Sequence, residues 1–182
     1  AGNRVAATLS VNGPFGSGFV AGDTGVLLNN HMDDFALAIA TPNLYKLVGN
    51  DANAIAPGKR PLSSMSPTFV EDDRGVLVLG TPGGSRIISM VVLGVLDYLL
   101  NPQVDVQRIV SLPRYHHQYL PDRVEIEPEG FDHAWIDSLR AKGHTVETGR
   151  RRWGNMHAVF LDSRTGRRSA ASDPRGRAGV LF

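Results

Sequence analysis

The chain has 182 residues, of which 42% are hydrophobic and 20% charged, and its formal net charge is +1. This composition is ordinary for a globular domain, and the length predicts one domain over residues 1–182. The near-neutral charge gives no electrostatic case for binding nucleic acid or an anionic membrane surface. The absence of cysteine excludes disulfides, thiolate metal sites and a cysteine nucleophile. The longest apolar run, residues 87–100, is too short to span a bilayer, which takes about 20 residues.

The N-terminal third is predicted to hold two short strands and a long loop. Residues 5–11 favour a strand, and a glycine-rich turn follows at 13–18. Residues 26–28 predict a short buried strand that runs into the polar segment 29–34. From 41 to 67 the chain is rich in Pro, Gly, Asn and Ser without periodicity, which indicates a long ordered loop. Loops of that length inside a compact domain usually carry function.

The rest of the chain mixes helices and strands. Asn101 is a predicted N-cap, because Pro102 follows it at the first helical position. Asp132 is predicted to cap a further helix that ends at Gly143. The order of elements predicts an α+β layered domain. The predicted elements are the hairpin strands 67–70 and 76–79, helices 86–100, 101–109 and 132–143, and strands 124–127, 157–161 and 169–172.

Two polar segments are candidate binding sites. Residues 29–34 place two amides, an imidazole and two carboxylates beside an apolar run, and an ammonium-bearing ligand would pair with them. A plain turn is the alternative interpretation. Ser63 and Ser64 lie between two prolines that stiffen the backbone, and adjacent rigid hydroxyls suit a carboxylate or phosphate. An ordinary Ser-Pro turn is the alternative there.

A third candidate is the turn that contains Gly83 and Gly84, between a predicted strand and a predicted helix. Backbone N–H groups of such glycines can approach a ligand at the positive end of the helix dipole. They could cradle a phosphate or form an oxyanion hole. The segment is neither a Walker loop nor the full dinucleotide fingerprint, and a simple turn stays open.

Other chemistry is less favoured. His116 and His117 are adjacent, so their side chains diverge on a helix or a strand, and no carboxylate at ligand spacing supports a metal site. We therefore predict structural histidines and no metal. No G-x-S-x-G elbow accompanies Ser63 or Ser64, which argues against a serine nucleophile.

Four spaced segments together follow the pattern of one family. They are Asn12 with 15–18, then 27–30 with 32–35, then 59–68, and then 82–87, and the tail 171–175 is similar. Together they resemble the small subunit of γ-glutamyltranspeptidases. The resemblance implies a four-layer αββα sandwich of the N-terminal-nucleophile hydrolase type. A large and a small subunit, cut from one self-processing precursor, would build it jointly as a heterodimer.

The resemblance also implies a reaction and its substrates. A threonine at the start of the small subunit attacks a γ-glutamyl amide of glutathione or a related compound, and its own α-amino group is the general base. Water, an amino acid or a peptide then accepts the γ-glutamyl group, and no cofactor is implied. That threonine would lie roughly ten residues before Gly2, outside this chain, so the segment alone is expected to be inactive. The family resemblance suggests a periplasmic or extracellular location.

Residue roles can be carried over from the family at matching positions. The resemblance implies that Gly83 and Gly84 supply oxyanion-hole N–H groups, and that Ser63 and Ser64 hold the substrate α-carboxylate. Ser10 stands where the family usually has threonine, whose hydroxyl contacts the nucleophile. The hydroxyl is retained, so the same role is expected.

The family resemblance further implies that Asn12 and Asp34 hold the substrate α-ammonium. His31 is a departure, because the family usually has Gln or Glu there as another contact to the α-amino group. A neutral imidazole can accept one hydrogen bond, whereas an imidazolium would repel the ammonium. The preference for glutamyl substrates is therefore open at this position.

Three alternatives stand beside a glutathione-directed enzyme. One is an acylase for glutaryl side chains of β-lactams, and Asp34 argues against it because a glutaryl group has no ammonium. Another is a poly-γ-glutamate enzyme of the same superfamily. The last is a non-catalytic binding relic, which follows from the position of the nucleophile outside the chain.

Overall fold

The computed structural model describes residues 2–38 and 40–177. The chain divides into two compact units, the smaller being Leu9–Ser64 and the larger Ala1–Thr8 with Met65–Phe182. None of the helices formed by the described residues has the length and apolar content needed to cross a membrane.

The smaller unit consists of loops and short helical turns. Its 3₁₀ helices are Gly22–Thr24, His31–Asp34 and Asp51–Asn53. The predicted loop 41–67 is confirmed up to its junction with the first strand of the larger unit.

The two strands predicted before residue 30 are wrong. Within the described residues, 5–11 have no strand partner, and residues 26–28 contribute only the isolated bridge between Val20 and Leu27. Val26 and Leu28 are exposed rather than buried. An alternating apolar pattern indicates a tendency to form a strand, but a strand also needs a neighbouring strand with which to pair.

The described residues of the larger unit form two sheets and three helices. A four-stranded antiparallel sheet has the order β1-β2-β6-β7, and a three-stranded sheet has the order β3-β4-β5. In the smaller sheet β3 is antiparallel to β4, and β4 is parallel to β5. The elements are β1 (Thr68–Asp72), β2 (Gly75–Gly80), α1 (Arg86–Leu100), α2 (Val106–Ser111), β3 (Tyr115–Gln118), β4 (Arg123–Ile126), α3 (His133–Ala141), β5 (Val146–Thr148), β6 (His157–Asp162) and β7 (Arg168–Ser172).

The main core lies between the four-stranded sheet and helices α1 and α2. Alternate residues of β2 and β6 face the helices, including Leu77, Leu79 and Phe160, which are all buried. Gly94 allows α1 to approach β2 closely, because a Cβ at this position would lie 2.9 Å from Cδ1 of Leu79. A smaller cluster packs α3 against the three-stranded sheet around Ile126.

Most of the predicted elements after residue 67 are confirmed, including the hairpin, α1, α3, β4, β6 and β7. The helix predicted over 101–109 begins later, because Asp105 is its N-cap and accepts from the N–H groups of Gln107 and Arg108. Asn101 instead follows the end of α1, where its N–H donates to the Asp97 carbonyl. Strands β3 and β5 were not predicted, because β3 is a polar sequence and β5 has three residues.

Candidate active site

The glycine turn joins β2 to the start of α1. Gly83 has φ +151° and Gly84 has φ +59°, a region that favours glycine at both positions. A Cβ on Gly83 would also lie 2.6 Å from Cε of Met90. Their carbonyls accept the first hydrogen bonds of the helix, from the N–H groups of Arg86 (3.3 Å) and Ile87 (3.1 Å).

The N–H groups of Gly83 and Gly84 are available to a ligand. Neither donates a hydrogen bond to any acceptor in the described part of the chain. They lie at the N-terminal end of α1, where the helix dipole favours negative charge. The turn can therefore present two donors to an anion or to a developing oxyanion.

Two buried hydroxyls fix this turn from either side. Thr81 Oγ1 donates to the Pro82 carbonyl (2.9 Å) and accepts from the N–H of Asn155 (3.2 Å). Ser85 Oγ donates to Oε1 of Gln118 in β3 (2.7 Å). The glycine turn is thus anchored both to the segment before β6 and to the three-stranded sheet.

Asp34 is a half-buried carboxylate of the smaller unit, and no described residue donates a hydrogen bond to it. Burial raises the pKa of Asp34, the charge of His31 opposes that shift, and the neighbouring charge of Asp33 adds to it. Asp33 accepts from the N–H of Leu44 (2.9 Å), whereas no donor among the described residues reaches the Asp34 carboxylate. A cation is the ligand that would stabilise the ionised form of Asp34.

Asn12 lies in the same region of the smaller unit. It adopts φ +72°, its N–H donates to Ser10 Oγ (2.8 Å), and its carbonyl accepts from the Tyr45 hydroxyl (3.0 Å). Its side-chain Nδ2 donates to the Asn30 carbonyl (3.2 Å), and no described residue donates to its Oδ1. Burial and the charge of Asp34 both raise the pKa of Tyr45, which places this tyrosine near the carboxylate.

Asn53 connects the Asp34 segment to the serine pair. Its Nδ2 donates to the Asp34 carbonyl (2.8 Å), and its Oδ1 accepts from the N–H of Leu62 (2.9 Å), the residue before Ser63. Ser63 is exposed and Ser64 is half-buried. Neither Asn53 nor Tyr45 was predicted from the sequence, because both occur in a loop without periodicity.

The candidate residues divide between the units. The glycine turn belongs to the larger unit, and all the other candidate side chains belong to the smaller one. Within the smaller unit, hydrogen bonds and charge effects connect Ser10, Asn12, His31 and Asp34, and Asn53 links them to the serine segment. Their roles stay predictions.

The adjacent histidines point to opposite sides of β3. His116 is buried and hydrogen-bonds to Ser89 and Gln118, whereas His117 is exposed and contacts Asp122 (2.8 Å). Over residues 2–38 and 40–177, no group of three or more His, Asp and Glu side chains could hold a metal ion.

Comparison with solved structures supports this fold. The γ-glutamyltranspeptidase of Pseudomonas nitroreducens in complex with L-DON superposes with a TM-score of 0.88 and 40% identity, over 100% of this chain and 94% of that one. An acivicin-inhibited γ-glutamyltranspeptidase gives a TM-score of 0.87 and 42% identity, over 96% of this chain and 93% of that one. The predicted α+β fold of the N-terminal-nucleophile hydrolase type is confirmed.

Sequence comparison leads to the same family. The chain is 47% identical over 178 residues to the glutathione hydrolase proenzyme of Escherichia coli K12, which covers 96% of this chain and 30% of the relative. The chain thus spans about a third of the length of such curated relatives. The family model for γ-glutamyltranspeptidase matches residues 1–182. The chain belongs to the γ-glutamyltranspeptidase family.

Proposed function

We propose that the full-length protein cleaves γ-glutamyl amides of glutathione-like substrates and transfers the γ-glutamyl group to water, an amino acid or a peptide. The observation that carries this proposal is the half-buried Asp34 carboxylate, which no donor among the described residues contacts. A γ-glutamyl group supplies the missing cation, because its α-ammonium can pair with Asp34. Asn12 Oδ1, which likewise receives no hydrogen bond from the described residues, would accept from the same ammonium.

The reaction would proceed through an acyl-enzyme on an upstream threonine. With Ser63 and Ser64 holding the α-carboxylate, the threonine hydroxyl attacks the γ-carbonyl while its α-amino group takes the proton. The N–H groups of Gly83 and Gly84 would stabilise the oxyanion of the tetrahedral intermediate. Collapse of the intermediate breaks the C–N bond and returns the proton to the leaving amine. Ser10 Oγ accepts from the N–H of Asn12, so its own proton can be donated to the nucleophile.

The proposed partner is a large subunit produced from the same precursor. The sheet face opposite the helices exposes Phe69 and Val159, and one face of α1 is also apolar and exposed. Exposed apolar surface on both sides of one layer is typical of a unit that is completed by another chain. A periplasmic or extracellular location is proposed from the family resemblance.

Poly-γ-glutamate is a second candidate substrate, since its γ-linked residues carry the same carboxylate and amide groups. An internal residue of that polymer has no free α-ammonium, so the unpaired Asp34 favours small γ-glutamyl donors. A glutaryl donor lacks the ammonium altogether and is disfavoured for the same reason.

The proposal is tested with the full-length protein and two chromogenic substrates. γ-Glutamyl-p-nitroanilide should be hydrolysed with a much higher kcat/KM than glutaryl-p-nitroanilide, and glutathione should release free glutamate. Faster turnover of the glutaryl compound would favour the acylase. If a correctly processed protein turned over neither substrate, a binding function would be the remaining candidate.

A further inference from the structure

A chain of hydrogen bonds connects the glycine turn to strand β3. Oε1 of Gln118 accepts from Ser85 Oγ (2.7 Å) and lies 2.8 Å from Nε2 of His116. Nε2 of Gln118 donates to the Leu120 carbonyl (2.6 Å). Since a carbonyl oxygen can only accept, this last bond fixes the orientation of the carboxamide. Oε1 therefore faces both Ser85 and His116 as an acceptor.

The direction of each hydrogen bond follows from that orientation. His116 must carry its proton on Nε2 to donate to Gln118, so Nδ1 of the neutral ring accepts from Ser89 Oγ (2.7 Å). Burial is the largest cause of a lowered pKa at His116, which favours the neutral ring that this pattern requires. The series of hydrogen bonds begins at Ser89 in α1 and ends at Ser85, the residue before α1.

The hydroxyl of Ser85 does not cap α1, although Ser85 occupies the N-cap position of that helix. Serine before the first turn of a helix normally accepts from a backbone N–H of that turn. Ser85 makes no such cap, has helical φ and ψ, and is buried with its hydroxyl directed to Gln118. Its hydrogen bond therefore holds the start of α1 against β3. Gly84 is the preceding residue, so the position of Ser85 limits where the Gly84 N–H can point.

We infer that Gln118 is a positioning residue for the proposed oxyanion turn, acting through Ser85, with His116 and Ser89 locking its orientation. This inference rests on the proposed function. Loss of the Gln118 acceptor would leave the Ser85 hydroxyl unpaired and free to rotate toward the helix. The two glycine N–H groups would then be held less accurately against the developing oxyanion.

Such a defect should appear in kcat rather than in KM. Small displacements of catalytic groups cost up to about a hundredfold in rate, so Gln118→Met should lower kcat by roughly ten- to a hundredfold. The side chains proposed to bind the substrate ammonium and carboxylate belong to the smaller unit, whereas Gln118 belongs to the larger one. KM for γ-glutamyl-p-nitroanilide should therefore change little.

The experiment is a double-mutant cycle in the full-length protein. Gln118→Met, Ser85→Ala and their combination are compared by kcat and KM, and the double variant should be no slower than the slower single variant. Gln118→Glu keeps an acceptor for Ser85 but cannot donate to the Leu120 carbonyl, so it should recover only part of the lost kcat. Gln107→Met is the matched control, because exposed Gln107 also bonds to a serine in its side-chain contact, donating from Nε2 to Ser111 Oγ (3.1 Å) in α2. It should have wild-type kcat.

Several outcomes would overturn the inference. These are a kcat within about threefold of wild type in Gln118→Met, fully additive losses in the cycle, or a rise in KM with unchanged kcat. If Gln118→Met does not fold, Ser85→Ala tests the inference instead, because removing one hydroxyl is a mild change. An unaltered kcat in Ser85→Ala would then count against the inference. Absence of γ-glutamyl turnover in both wild type and Gln107→Met would instead refute the proposed function.

Discussion

Asp33 and Asp34 are adjacent carboxylates in one 3₁₀ helix, but their surroundings give them different tasks. Asp33 accepts from the N–H of Leu44 and so helps to hold the loop that carries Tyr45. Asp34 is half-buried, and burial raises its pKa because the described residues offer its carboxylate no donor. At the scale of single residues, Asp33 is a structural group and Asp34 is the candidate ligand.

Asp34→Asn should separate γ-glutamyl from glutaryl substrates. The change keeps shape but removes the charge that pairs with the α-ammonium, so kcat/KM for γ-glutamyl-p-nitroanilide should fall about tenfold or more. The glutaryl analogue should lose much less. Asp33→Asn is the matched control and should affect both substrates equally. Equal losses for both substrates in Asp34→Asn would show that Asp34 is structural.

His31→Gln should change the acid limb of the pH profile. As pH falls, protonated His31 repels the substrate ammonium and competes with it for Asp34, so KM for γ-glutamyl substrates should rise. In His31→Gln the imidazole is absent, and this source of repulsion is lost. Because the pKa of Asp34 is raised above 3.8, binding should still weaken as Asp34 is protonated, but at lower pH than in wild type. An identical KM profile in both proteins would remove His31 from the site.

Helix α1 is apolar on two faces, and the described residues bury only one of them. The buried face packs on the four-stranded sheet, and Gly94 sets the close approach to β2. The second face follows helical spacing but is exposed, which the described residues do not explain. Its residues are Ile88, Val92, Leu96 and Leu99.

Val92→Asp tests whether this second face is covered in the full-length protein. A charge buried in the proposed subunit contact should lower the melting temperature by several degrees, since a 1 kcal/mol loss alone shifts Tm by roughly 2–4 °C in a large domain. Ser138→Asp, on the exposed side of α3, should leave Tm near that of wild type. The two variants would melt alike if the face were open to solvent.

At the scale of the molecule, a buried group of charges joins the two sheets of the larger unit. Asp173, which follows β7, pairs with Arg114 before β3, and Arg175 bonds to both Asp173 (3.1 Å) and Glu127 after β4. All four side chains are nearly inaccessible to solvent. Burial alone would raise the pKa of Asp173, but the N–H groups of Arg175 and Met156 and the charge of Arg114 outweigh it and lower that pKa.

Asp173→Asn should be strongly destabilising at neutral pH. Removing one partner of a buried ion pair costs about 3–5 kcal/mol, because the other charge stays buried without compensation. The lowered pKa of Asp173 contributes stability that is present above its unfolded pKa and is lost as pH falls through the folded value. Urea unfolding should therefore show the largest difference from wild type near pH 7 and a smaller one in strong acid.

Asp122→Asn is the control for this prediction. Asp122 contacts His117 at the surface, and even a charged pair at such an exposed position contributes at most about 1 kcal/mol. A similarly small effect of Asp173→Asn would mean that the buried charges are not coupled in the folded protein.

The sequence by itself determined most of the local elements of the larger unit, and it determined the family. Hydrophobic periodicity and capping residues are local signals, so the hairpin, α1 and the Asp132-capped α3 were predicted correctly. The spaced glycine, serine and aspartate motifs predicted the family, which the comparisons confirmed.

Only the tertiary structure decided which polar groups have partners. The roles of Asn53, Tyr45 and Gln118 depend on hydrogen bonds between residues far apart in sequence, and no local spacing encodes them. The same reason explains the wrong strands at 5–11 and 26–28. Their apolar pattern is real, but within the described residues no strand pairs with them or covers them, and pairing is a property of the assembled fold rather than of a segment.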